Sequence, residues 1–211
     1  MFMTRLCSSV VLVVLSLVTI LTGGYLLAGV LLFLALTAFR ELTKACKLAK
    51  EGGEISALEV IGYLGILAYY LLMVFAADEM ILFLCLITIL VAFMFLYVFT
   101  FPKYHAEQIM CAFFFVAYAP VMLSFIYLVR ILPYGIYSVW MIFISSWICD
   151  TCAYVFGMLF GKHKLAPVLS PKKSIEGALG GIFGAALVGA LYAYFVVEPA
   201  ISEQRVTWIF V

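Results

Sequence analysis

Charge is scarce in this sequence. Asp, Glu, Lys and Arg make up 11% of its 211 residues, where a soluble domain carries about a quarter. With 68% of the residues hydrophobic, there is too little polar material to cover a water-facing surface. A soluble globular domain is thereby excluded, and lipid must act as solvent for most of the chain. Period-two alternation of apolar and polar residues is also missing, which argues against a membrane β-barrel. The apolar runs are long and continuous, so the backbone must satisfy itself in hydrocarbon as helices. Cysteine provides no framework. Cys7, Cys46, Cys85, Cys111, Cys149 and Cys152 are scattered through apolar runs, so no disulfide scaffold is indicated. Cys149 and Cys152 form a C-x-x-C, but inside a lipid-embedded helix this reads as two small apolar residues rather than a redox pair. Low-complexity segments and inverted repeats of the secondary-transporter kind are not visible, which weighs against transport. The net charge of +1 carries no nucleic-acid signal.

What is present is a succession of apolar runs. Leu6 to Thr22 lies behind Arg5, Gly23-Gly24 interrupts, and Tyr25 to Phe39 is apolar again. Without a small-x-small cleavage site these read as retained helices, either a tight hairpin or one broken segment. Arg40 to Glu59 is polar, and its spacing of Leu42, Ala45 and Ala49 against Lys44, Lys47 and Lys50 predicts an interfacial helix. Val60 to Ala77, Met80 to Phe99, Ile109 to Val129, Tyr134 to Phe156 and Glu176 to Val197 follow as spans. Trp208 to Val211 resembles the start of another. The expectation is an all-α, polytopic transmembrane protein of about seven spans plus that start, forming one integral-membrane domain over residues 1–211. Pro120 lies inside a span and predicts a kink.

Alternating crossings put Lys162, Lys164, Lys172, Lys173, Lys103 and the lysines between Arg40 and Lys50 on one side. The other side keeps Arg130 and Arg205, with Asp78, Glu79, Glu198 and Glu203. By the positive-inside rule the lysine-rich side is cytoplasmic.

The stretch from Trp147 to Gly184 concentrates the polar chemistry. Asp150 lies seven residues before Gly157, about 10 Å inside a helix end at 1.5 Å per residue. An acid at that depth either pairs with a lysine for packing or serves a function. Ser146 and Gly157 share its face. Ser170 is suited to cap a helix and Pro171 to open it, which would place Lys172 and Lys173 in the first turn, where free N–H groups favour phosphate. Glu176 would neutralise a lysine or bind a metal, and His163 reads as a loop residue. Gly177, Gly180, Gly181 and Gly184 form overlapping G-x-x-x-G patterns that predict close helix packing. Gly157 and Gly161 bracket the turn.

The string D-T-C-A-Y-V-F-G-M-L-F-G-K-H-K-L-A-P-V-L-S-P-K-K-S-I-E-G resembles the CDP-diacylglycerol synthase (phosphatidate cytidylyltransferase) family, which carries D-T-x-A-Y, F-G-K-H-K-L and S-P-K-K-[ST]-x-E-G at this spacing. The resemblance implies a magnesium-dependent nucleotidyltransferase of phospholipid biosynthesis. Such an enzyme joins CTP to phosphatidic acid, giving CDP-diacylglycerol and pyrophosphate, in the bacterial cytoplasmic membrane with its active side cytoplasmic. Carried over, Asp150, Lys173 and Glu176 are expected to be catalytic, and Lys172, Ser170, Lys162 and Lys164 to bind substrate. The partners implied are CTP, phosphatidic acid and the bilayer, with a homo-oligomer left open. Three departures stand out: Cys152 where glycine is common, Met158 where a basic residue often sits, and no Pro-Gly-His-Gly-Gly block with its Asp-Arg-x-Asp. Those aspartates are the family's expected metal ligands, so the metal ligands of this chain are unassigned and it reads as the N-terminal part of a longer family domain. A non-catalytic lipid- or ion-handling membrane protein, and an inactive paralogue, remain as alternatives.

Overall fold

The computed structural model describes residues 13–48, 55–168 and 170–202. The chain divides into two compact units, Met1–Ile131 and Leu132–Val211. Six helices are long and apolar enough to cross a membrane: Gly24–Ala45, Ala57–Phe75, Glu79–Thr100, Ala106–Ile131, Gly135–Phe160 and Ile175–Ser202. A shorter apolar helix, α1 (Val13–Thr22), precedes them. The all-α, multi-pass expectation therefore holds. The first apolar run is described only from Val13, while Cys7, Lys50, Glu203, Arg205 and the run from Trp208 to Val211 lie outside the described residues.

In the first unit, α1 and α2 (Gly24–Ala45) are separated at Gly23, whose φ of 63° suits glycine. Arg130 closes the end of α1. Its Nε donates to the Ile20 carbonyl at 2.8 Å and its Nη2 to that of Leu21 at 3.3 Å, placing positive charge at the negative end of the helix. The interfacial helix expected from Arg40 is corrected here. Residues 40–45 are the last turns of α2, with Phe39 and Thr43 still buried and Lys44 reaching Glu41 at 3.2 Å. A helix already nucleated in lipid continues into the interface, because long charged side chains extend to water from its last turn.

Ser56 starts α3 (Ala57–Phe75) with a reciprocal cap: its hydroxyl accepts from the Glu59 N–H at 3.2 Å, and its own N–H donates to the Glu59 carboxylate at 2.9 Å. Asp78 caps α4 (Glu79–Thr100) in one direction, its carboxylate accepting from the N–H groups of Met80 and Ile81. Small residues let these helices close: a Cβ on Gly62 would overlap the Phe39 ring, and one on Gly65 would approach Ile89 to 2.9 Å. The next span runs as α5 (Ala106–Val116), a π segment at Ala117–Val121 and α6 (Met122–Ile131). The disturbance falls at Pro120, as its missing N–H requires. Tyr70 donates to the Pro120 carbonyl at 2.9 Å, so the irregular turn is satisfied from a neighbouring helix.

The second unit is an antiparallel helix pair. After a short α7 (Gly135–Ser138), α8 (Trp140–Phe160) runs to Gly161. A hairpin follows, with β1 (Lys164–Ala166) antiparallel to β2 (Ser170–Ser174) in the register Lys164 to Ser174 and Ala166 to Ser170. Then come α9 (Ile175–Tyr192) and a π segment at Ala193–Val197. The glycine rows behave as the G-x-x-x-G patterns predict. A Cβ on Gly177 would lie 2.7 Å from the Ala153 carbonyl, and one on Gly181 2.8 Å from that of Cys149. Gly184 and Gly180 leave room for the side chains of Cys152 and Phe156. Cys149 and Cys152, both free thiols, thus serve as small packing residues.

Candidate functional site

The start of α9 differs from the sequence expectation, and the difference shapes the site. Ser170 and Pro171 do not open the helix; they belong to β2. Ser174 is the cap, its Oγ accepting from the Gly177 N–H at 3.1 Å. Helix electrostatics favour this choice, because two lysines in a first turn would oppose the helix dipole. With Ser174 as cap, the first turn carries Glu176 instead, which suits the dipole. The hairpin partner settles what local propensity leaves open.

Ser174 is also the joint between the two helices. It is buried, and a Cβ on Gly161 would approach its Oγ to 2.7 Å and one on Gly157 to 3.2 Å. Gly157 and Gly161 therefore shape the turn by admitting the cap of the next helix.

Beside this joint lies a cavity of about 610 Å³. Asp150 and Tyr154 line it from α8, and Ser170, Lys172, Lys173 and Ser174 from β2. Asp150 and Tyr154 are one turn apart and share a face. Leu165, Met158 and Ile182 add apolar walls. Among the described residues the side chains of Asp150, Lys172 and Lys173 make no hydrogen bond or ion pair with one another or with other groups. The packing role considered for Asp150, in which a lysine neutralises it, is therefore not what the structure shows. One carboxylate and two ammonium groups face a common space with their charged heads uncommitted, an arrangement suited to an anion carrying hydrogen-bonding groups.

The other candidates stand apart from this cavity. Lys162 and Lys164 are exposed on the way into the hairpin and do not line it. Glu176 does not line it either, and its side-chain partner is His163 rather than a lysine ammonium, with 2.7 Å between the Glu176 Oε1 and the His163 Nδ1. Sequence reading missed Tyr154 and Ser174. Tyr154 was available from its i+4 spacing to Asp150, whereas Ser174 becomes distinct only once β1 pairs with β2.

Among the described residues no group of three or more His, Cys, Asp or Glu could hold a metal ion. Asp150 is the one carboxylate lining the cavity among them. Magnesium commonly takes one or two carboxylates and completes its shell with water and substrate phosphates. The described residues therefore do not make a metal site by themselves.

These features define a class: a multi-pass helical membrane protein with a cavity lined by Asp150, Lys172 and Lys173 where two spans meet through a hairpin. The particular family follows from comparison. The model of the cytidylyltransferase family matches residues 3–210, and the chain belongs to that family. It is similar to the phosphatidate cytidylyltransferase of Staphylococcus aureus, 43% identical over 81 residues, which are 38% of this chain and 30% of that relative. It is also similar to that of Staphylococcus saprophyticus, 40% identical over 85 residues, which are 40% of this chain and 33% of the relative. The same enzyme of Staphylococcus epidermidis is 42% identical over 85 residues, again 40% of this chain and 33% of the relative. The matched stretch thus spans about a third of the length of these curated relatives.

Proposed function

We propose that the protein works in cytidylyl transfer from CTP to phosphatidic acid, giving CDP-diacylglycerol and pyrophosphate. The observation that carries this reading is the convergence of Asp150, Lys172 and Lys173 on one cavity between two apolar helices. The reaction brings a lipid phosphate against the α-phosphorus of CTP. A phosphate oxygen forms the new P–O bond as the bond to the pyrophosphate oxygen breaks. Several negative charges must be held together as this happens, and positioned cations stabilise them best where water is excluded. Lys172 and Lys173 supply two such cations from the irregular stretch of β2 that lies between its paired residues Ser170 and Ser174. Ser170 adds a hydroxyl donor, and Asp150 an acceptor that orients the reactants from the helix side. Leu165, Met158 and Ile182 give the diacyl tails an apolar border to lie against.

Nucleotidyltransferases typically use a divalent metal, which would neutralise charge on the departing pyrophosphate. Magnesium is the ion we propose, with Asp150 as the one cavity carboxylate that this chain's described residues could offer it. Lys162 and Lys164 are proposed to attract the anionic substrates toward the cavity without contacting the reacting atoms. The positive-inside distribution of Lys44, Lys103 and the hairpin lysines supports a cytoplasmic site in the bacterial inner membrane, where CTP is available.

The test is conversion of phosphatidic acid by labelled CTP in membranes containing the protein. Replacement of Asp150 or Lys173 by Ala is expected to lower turnover by about a hundredfold or more, the usual cost of losing one preorganised charged group. Undiminished conversion in both variants would remove the cavity from the mechanism. Phosphatidic acid binding with no turnover in the wild type would favour a lipid-binding role instead.

A further inference from the structure

Glu176 lies in the first turn of α9, yet its carboxylate bonds to the segment that leaves α8 and does not line the cavity. Three donors converge on it. Its Oε2 accepts from the Lys162 N–H at 3.2 Å and the His163 N–H at 3.3 Å. Its Oε1 takes the His163 N–H at 3.2 Å and the His163 Nδ1–H at 2.7 Å. The Ile175 N–H closes the ring by donating to the His163 carbonyl at 3.0 Å. Residues 162–163 are thus tied to the first turn of α9 through both their N–H groups and a carbonyl.

Those two residues lead directly into β1, which pairs with the strand carrying Lys172 and Lys173. The hairpin is consequently held at two points. Ser174 fixes the end of β2 by capping α9, and Glu176 fixes the approach to β1. Four N–H contacts onto its two oxygens commit the acceptor sites of the Glu176 carboxylate to residues 162–163.

We propose that Glu176 is a positioning residue, clasping Lys162 and His163 so that the hairpin presents Lys172 and Lys173 to the cavity, and that it is neither a metal ligand nor a group that touches the reacting atoms. The kinetic part of this proposal rests on the cytidylyl-transfer reading, whereas the clasp itself does not.

Glu176→Ala, Glu176→Gln and His163→Ala are to be compared in the full chain reconstituted in lipid. Two readouts separate the questions: hydrogen exchange of peptides spanning residues 162–174, and KM for CTP against kcat. Removing the carboxylate should speed hairpin exchange by about tenfold or more, since local opening then costs less. It should also raise KM for CTP by about tenfold while kcat changes less than about threefold, the signature of disturbed binding rather than lost chemistry. Gln keeps an oxygen for the backbone N–H groups and offers an N–H to an unprotonated Nδ1, so it should restore both readouts to within about threefold of wild type. His163→Ala should fall between them. Exchange left at the wild-type rate by Glu176→Ala would overturn the clasp. A kcat lost equally in the Gln and Ala variants, with exchange unchanged in Gln, would make Glu176 catalytic and overturn the proposal. If Glu176→Ala fails to fold, the Gln and His163→Ala pair decides by the same comparison. If the wild type transfers no cytidylyl group, the reaction fails while the exchange data still judge the clasp.

Discussion

A carboxylate inside an apolar helix costs several kcal/mol unless protein, water or ligand faces it. Asp150 meets that requirement by opening onto a cavity that also receives Lys172 and Lys173. The acid's isolation within a span made it legible from the sequence, as did the adjacent lysines. The serine that caps α9 was not legible. Ser170-Pro171 and Ser174 both carry helix-start chemistry, and cross-strand pairing of Lys164 with Ser174 adds to the helix electrostatics in selecting the second. Because Ser174 caps and also fills the space between Gly157 and Gly161, Ser174→Ala is expected to destabilise the protein by about 1–2 kcal/mol, whereas Ser170→Ala should be near neutral. Thermal unfolding in detergent measures both. Equal effects at the two positions would contradict the cap assignment.

At the level of elements, glycines of α9 meet the backbone of α8 at Ala153 and Cys149 and receive the side chains of Phe156 and Cys152. Lipid gives helices no hydrophobic drive to associate, so close approach supplies the attraction. The row Gly177–Gly181 against Cys149–Ala153–Gly157 was readable from G-x-x-x-G spacing on one helix, though the matching row on the other was not. Its members are Cys, Ala and Gly, which share smallness rather than a motif. Gly181→Leu is predicted to push α9 off the Cys149 carbonyl and lower stability by about 1–3 kcal/mol, the cost typical of overpacking. Gly189→Ala is the control. Its new Cβ would sit 3.5 Å from the Met141 methyl, an ordinary contact, so stability should hold or rise slightly. In the first unit, Tyr70→Phe should cost about 1 kcal/mol by removing the hydrogen bond to the Pro120 carbonyl inside the π segment. Pro120 announced that irregularity in the sequence, but the tyrosine that satisfies it is 50 residues away and had no local signal.

For the whole molecule, composition alone dictates membrane helices, and the six long apolar helices agree with it. The two-stranded hairpin was beyond that reading, since three- and five-residue strands leave no period to detect. Sidedness is the property that ties the architecture to the proposed use of CTP. Cys introduced at Lys172 in a cysteine-free background should react with an impermeant maleimide only from the cytoplasmic face. Labelling from the opposite face would leave the hairpin without access to the nucleotide.

The most direct examination of the cavity is photo-crosslinking with an azido derivative of CTP, followed by mapping of the labelled peptides. The account predicts label within residues 150–178, competed away by CTP and lost when Lys172 and Lys173 are both replaced by Ala. Label confined to residues 13–131, or undiminished in the double variant, would contradict it.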